Sequence, residues 1–156
     1  MRTIVAGLTS TLAMTMVMVM APVMGMPKMD IAAMLGSVIA GGSAPPGSFA
    51  WIAGLVMHLI IGSVVLSAGY ALAHNHLPTS SSLVKGAIYG AIVWLMAQAV
   101  VMPMMGAGLF SSNLPHGAMS AMGSLIGHLI YGAVLGKVYG SARSENTKGN
   151  LSILPN

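Results

Sequence analysis

A chain of 156 residues that is 56% hydrophobic, with only six Lys or Arg and two Asp or Glu, has too little charge to cover a water-soluble globule of its size. Soluble domains carry roughly 25% charged residues against 5% here, so composition places the chain in a lipid bilayer. The net charge of +4 comes from basic residues scattered singly, which excludes a nucleic-acid surface, and the lack of cysteine excludes disulfides, iron–sulfur clusters and thiol chemistry.

The first apolar run extends from Ile4 to about Gly25, preceded by Arg2 and closed by Pro22 and the Gly25-Met26-Pro27 breaker. It exceeds the 7 to 15 residues of a secretory h-region, so the reading is a retained span, with cleavage near Val23-Met24-Gly25 as the alternative. After Lys28, Asp30 caps a short helix in which Ile31, Met34, Leu35 and Val38 form one apolar stripe. This helix is too short to cross, and it is placed along the outer membrane surface or tucked against the bundle. A Gly-Pro-rich loop over residues 41–47 leads to a second span from about Phe49 to Ala73, with Trp51 and Tyr70 near its ends. A polar turn, His74-Asn75-His76-Leu77-Pro78, separates it from a third span over about Leu83–Met105. The hairpin Ser111-Ser112-Asn113-Leu114-Pro115-His116 precedes a fourth span, about Ala118–Tyr139, and a polar tail over residues 141–156 ends the chain in disorder.

Cationic loops favour the cytoplasm. A cytoplasmic N-terminus puts Arg2, Lys85, Lys137, Arg143 and Lys148 inside and only Lys28 outside, so both termini are read as cytoplasmic.

His58-Leu59-Ile60-Ile61-Gly62 returns seventy positions later as His128-Leu129-Ile130-Tyr131-Gly132, and Pro22-Val23-Met24-Gly25 returns as Pro103-Met104-Met105-Gly106. These matches, with two spans in each half, predict a parallel internal repeat: one hairpin in residues 1–73, a second in residues 83–140. Gly54, His58 and Gly62 are four apart, as are Ser124, His128, Gly132, Gly136 and Gly140. Small residues at that spacing let membrane helices approach closely, and a histidine on such a face points at protein rather than lipid, where its ring nitrogens would lack partners.

Three uses of the histidine pair follow from residue chemistry. His58 and His128 can act as hydrogen-bonding glue, to each other, a carbonyl, Ser10, Gln98 or Tyr131. They can ligate haem b or a metal ion. They can also relay protons in a small-solute carrier. Methionine is abundant, with sixteen residues, and Met20, Met24, Met26, Met29, Met34, Met102, Met104 and Met105 fall at the outer end. Thioethers suit Cu(I), and Met20, Met24, Met102 and Met105 are the candidate ligands, although methionine also fills irregular apolar space. His74, His76 and His116 are assigned to solvated turns. Asp30 and Glu145 are the only acids, so no paired carboxylates or nucleophile–base set exists and no enzymatic activity is expected.

Residues 21–36, Ala21-Pro22-Val23-Met24-Gly25-Met26-Pro27-Lys28-Met29-Asp30-Ile31-Ala32-Ala33-Met34-Leu35-Gly36, together with the Met102-Pro103-Met104-Met105-Gly106 turn and Gly127-His128-Leu129-Ile130-Tyr131-Gly132, resemble an uncharacterised family of small bacterial four-helix inner-membrane proteins, a domain of unknown function. The resemblance implies four spans and an inner-membrane location, and it supplies no activity or functional residue.

The expected architecture is all-α: four transmembrane helices as two tandem hairpins, a short outer-face interfacial helix, one domain over residues 1–140 and a cytoplasmic tail. The expected role is a non-enzymatic accessory, assembly or interaction subunit, in contact with lipid and other transmembrane helices. Its small-residue faces, including Gly54, Gly62, Ser124, Gly132, Gly136 and Gly140, would dock those helices. A haem- or copper-binding redox or metal-handling protein is the alternative, and a small-solute carrier the third reading.

Overall fold

The computed structural model describes residues 2–151, with side chains for residues 2–141. Among the described residues the regular elements are all helical. Four helices are long and apolar enough to cross a membrane: α1 (Arg2–Met24), α3 (Phe49–His76), α4 (Ser82–Met104) and the Gly117–Ser141 part of α5. At 1.5 Å per residue, even 23 residues reach about 34 Å, beyond the ~30 Å hydrocarbon core. The outward surface suits that solvent: Ile4, Leu8, Leu12, Met16 and Val19 of α1 are all exposed and recur every three or four residues.

α1 tightens into a 3₁₀ turn at Ala21–Met24, where Pro22 removes an amide, and stops at Gly25 in a left-handed conformation. The short helix α2 (Ile31–Ala40) begins at Asp30, whose carboxylate accepts from Ala33 N at 2.9 Å. The same carboxylate accepts from Trp51 Nε1 at 3.0 Å, which ties the start of α2 to the start of α3. α2 is tucked against the bundle: a Cβ on Gly36 would strike the Ala50 carbonyl, and one on Gly54 would strike the Ala32 carbonyl.

α3 runs three residues further than its apolar pattern, ending in a 3₁₀ turn at His74–His76. His74 is therefore no solvated turn residue. It is buried edge-on to Tyr70, with ring centroids 5.6 Å apart, and lies beside Tyr139, while its carbonyl accepts from Lys85 Nζ at 2.9 Å. His76 and His116 are exposed, as expected. α5 (Gly117–Leu151) also differs, since its helix continues past Tyr139 into the polar tail, and the end of that tail, where disorder is expected, lies outside the described residues. Helical propensity carries the chain past the apolar boundary, because Ala142, Arg143, Ser144 and Glu145 contain no breaker.

Two contacts hold the halves in shape. α4 and α5 meet backbone to backbone, Gly86 against Gly132 and Gly136, and Gly90 against the His128 carbonyl. α1 meets α3 similarly, Gly7 lying on the Ser63 carbonyl and Gly62 on the Thr11 side chain. Tyr70, Tyr131, Leu135, Ala6 and Met14 fill the core between them.

Candidate functional site

Two helices depart from α geometry inside the bundle. α3 widens into a π-helical turn at Ile61–Leu66, immediately after His58, and α4 does so at Ala97–Val101. A π turn shifts the amide ladder by one residue, releases a carbonyl and occurs mostly at functional sites. The released groups are answered from other helices: Tyr131 OH donates to the Gly62 carbonyl at 2.7 Å, and Tyr89 OH donates to the Leu66 carbonyl at 2.8 Å. Serines answer within α3, Ser63 on Leu59 O and Ser67 on Ser63 O.

Both π turns border one cavity of about 230 Å³, which Ile61, Gly62 and Leu66 line from α3 and Ala97 and Val101 from α4. His58 and His128 line the same cavity, so the structure brings the repeated histidines to a common space. Neither ring stacks on another aromatic ring among the described residues, and both are positioned by hydroxyl or carbonyl groups instead.

The hydrogen bonds determine which nitrogen of each ring is free. Thr15 Oγ1 has one proton, which goes to the Thr11 carbonyl at 2.8 Å, so its 3.1 Å contact with His58 Nε2 requires the imidazole to donate. A neutral His58 then carries its lone pair on Nδ1. His128 Nδ1 lies 2.8 Å from the Ser124 carbonyl, which can only accept, so the lone pair of a neutral His128 is on Nε2. Among the described residues no buried side-chain nitrogen or oxygen lacks a partner, so His58 Nδ1 and His128 Nε2 are not sealed in the interior, and both residues line the cavity.

Six thioethers complete the wall: Met14, Met18, Met29, Met96, Met102 and Met105. Of the four methionines singled out from sequence, Met102 and Met105 therefore line the same cavity as the histidines, whereas Met20 is exposed and Met24 borders only a smaller space of about 20 Å³. That smaller space shares Met18, Met29 and Ser124 with the main cavity and adds Met26 and Met119. Gly123 and Gly127 make room for the sulfur side chains, since a Cβ on them would come within 3.1 Å of Met26 Sδ and 3.4 Å of Met14 Cγ.

Behind His128 runs a polar chain. Ser111 Oγ donates to Gln98 Oε1 at 2.9 Å, Gln98 Nε2 reaches Ser124 Oγ at 3.4 Å, and Ser124 supplies the carbonyl that orients the imidazole. Gln98 is thus one step removed from the histidine it was expected to bond, and Ser10 spends its hydroxyl on Ala6 O within α1. Ser111, read as part of a solvated hairpin, is instead fully buried.

The small residues read as docking faces are used inside the chain. Gly54 receives α2, Gly62 receives Thr11, and Gly132, Gly136 and Gly140 receive Gly86 and Ser82, while Ser124 belongs to the polar chain. Thr11, Thr15, Met14, Met18 and Met96 escaped sequence reasoning, although Gly7, Thr11 and Thr15 carry a visible four-residue spacing on one face of α1. Among the described residues no three or more His, Cys, Asp or Glu cluster at metal-binding distances.

No curated protein and no solved structure matches the chain. One family does, described as a family of unknown function (DUF6789), over residues 1–149, and the chain belongs to it.

Proposed function

We propose that this chain is a multi-pass protein of the bacterial inner membrane, without enzymatic activity, that serves as an accessory subunit by holding a small ligand in its intramembrane cavity. The observation that carries the reading is the convergence of both π turns and both histidines on one cavity of about 230 Å³. A chain that only needed to pack would gain from a regular amide ladder and a filled core. Here two ladders are broken and the space between them is lined by a few polar groups on an apolar wall, the usual make-up of a ligand site. The volume lies below the roughly 300–1,000 Å³ of sites for drug-sized molecules, which favours an ion or a very small molecule over a haem macrocycle. Each of the two matching five-residue strings, at His58 and at His128, contributes one histidine, so the reading also accounts for their recurrence.

Filling the cavity tests it. Ala97 lines the space and is partly buried, and Ala97→Leu adds three carbons there. Native mass spectrometry of the full chain, released from its membrane in mild detergent, should show a small non-lipid adduct on the wild type that Ala97→Leu lacks. Identical spectra for the two proteins, with no adduct on either, would end this reading.

Orientation has its own test, because no native cysteine interferes. Ser112→Cys in the hairpin before α5 and Ser80→Cys in the turn before α4 are both exposed positions. With both termini cytoplasmic, a membrane-impermeant maleimide applied to intact cells labels the variant at 112 and spares the variant at 80. The reverse pattern inverts the topology.

A further inference from the structure

We infer that the cavity ligand is a soft monovalent cation, Cu(I), held by His58 Nδ1, His128 Nε2 and the thioethers of Met102 and Met105; this rests on the cavity reading and names its occupant. Donor chemistry selects the ion. Thioether sulfur favours Cu(I) among biological metals, and imidazole is a good copper ligand. Hard cations such as Mg²⁺ and Ca²⁺ need oxygen donors, but the cavity wall contains no carboxylate. Asp30 is committed to Ala33 N and Trp51 Nε1 on the side of α2. Zinc sites draw on Cys, His and carboxylate, and the wall offers two histidines alone from that set. Charge points the same way, since neutral donors in apolar surroundings compensate one positive charge far more easily than two.

The second observation is the state of the imidazoles. Metal-ligating histidines characteristically donate their other ring N–H to a carbonyl, a carboxylate or water, which fixes the tautomer and aims the free lone pair. His128 does this with the Ser124 carbonyl at 2.8 Å, and His58 uses the Thr15 hydroxyl at 3.1 Å. Both rings are thus held as ligands are held, on residues that line the cavity.

The experiment is an anaerobic competition in which the purified full chain withdraws Cu(I) from a coloured Cu(I) chelator, with Ag(I) as a redox-inert second probe. One Cu(I) should be withdrawn per chain. His58→Gln, His128→Gln and the near-isosteric Met102→Leu and Met105→Leu should each weaken binding by about tenfold or more, while Met20→Leu, on the outer face, should leave it unchanged. Because a histidine variant can also misfold, X-ray absorption of the Ag(I)-loaded wild type supplies an independent arm, expected to show both nitrogen and sulfur neighbours. Failure of the wild type to compete for Cu(I), or binding that survives all four substitutions, overturns the inference. If Cu(I) is refused while Ala97→Leu still removes a non-metal adduct, the copper assignment falls alone and the cavity reading stands. If no adduct exists either, both fall.

Discussion

Gly132→Leu is expected to cost at least about 3 kcal/mol, the upper part of the range for overpacking a tight interior, and to eliminate the folded chain from mild detergent. The reason is the kind of atom it meets. A Cβ on Gly132 collides with the Gly86 carbonyl, and Gly86 in turn lies against Gly132 and Gly136, so neither helix has a side chain that can swing aside. Relief requires α4 and α5 to move apart along their whole seam. That would expose Gly86, Gly90 and Gly136, and it would carry Ser124 and Gln98 away from each other. Gly42→Ala is the matched control: a Cβ there meets nothing within 4 Å, and the change should stay within about 0.5 kcal/mol. Unfolding followed by circular dichroism in mixed micelles separates the two. A Gly132→Leu protein as stable as wild type would mean that the seam is not the fixed contact described above.

That seam was legible in the sequence, and the reason is physical. Glycine at a four-residue spacing leaves one face of a helix without side chains, and in an apolar chain few arrangements other than close backbone approach make use of such a face. The partner of the face was not legible. Gly54 and Gly62 share one stripe on α3, yet one receives α2 and the other receives α1, a division set by how three helices cross rather than by spacing. The same limit explains why the small residues read as outward docking faces turned out to be used internally. Four helices long and apolar enough to cross a membrane could be counted from apolar length alone, whereas the end of α5 could not be placed. Its polar extension lies beyond any apolar signal, and only the absence of Gly or Pro until Gly149 hinted that the helix would continue.

The cavity was half legible. A histidine repeated at equivalent depth in two apolar runs is conspicuous, because an ionisable group there is costly without a purpose. The π turns were invisible, since a one-residue shift in the amide ladder leaves no mark on composition, and it is these turns that border the space. The methionines show the problem from the other side. Sixteen of them in an apolar chain carry little positional information, and Met14-Thr15-Met16-Val17-Met18 sends side chains in several directions. Met14 and Met18 line the cavity and Met16 is exposed, which follows from helical phase once the inward face of α1 is known from Gly7 and Thr11.

Gln98→Leu should remove about 1–3 kcal/mol of stability, the cost of leaving a buried polar group without its partner, and the loss should be concentrated in the hairpin before α5. Gln98 is fully buried in the π turn of α4 and accepts from Ser111 Oγ, itself fully buried. Leucine matches the volume but offers no acceptor, so the Ser111 hydroxyl is stranded. Ser111 also has φ +61° and its neighbour Phe110 φ +51°, a conformation that costs a residue with a side chain about 1–2 kcal/mol. Phe110 and Ser111 keep this conformation because Gln98 holds Ser111 down and Asn113 N bonds the Ala107 carbonyl at 2.9 Å. Without the Gln98 contact the strain has less to oppose it, and amide hydrogen exchange should accelerate over residues 107–114 while the glycine seam of α4 and α5 keeps its protection. A double-mutant cycle with Ser111→Ala isolates the bond itself, with a coupling of about 0.6–1.7 kcal/mol expected for a hydrogen bond inside a membrane bundle. Strict additivity of the two substitutions would show that the 2.9 Å contact contributes nothing, and the strained hairpin would then have to be held by its other bonds, such as Asn113 Nδ2 to the Gly106 carbonyl.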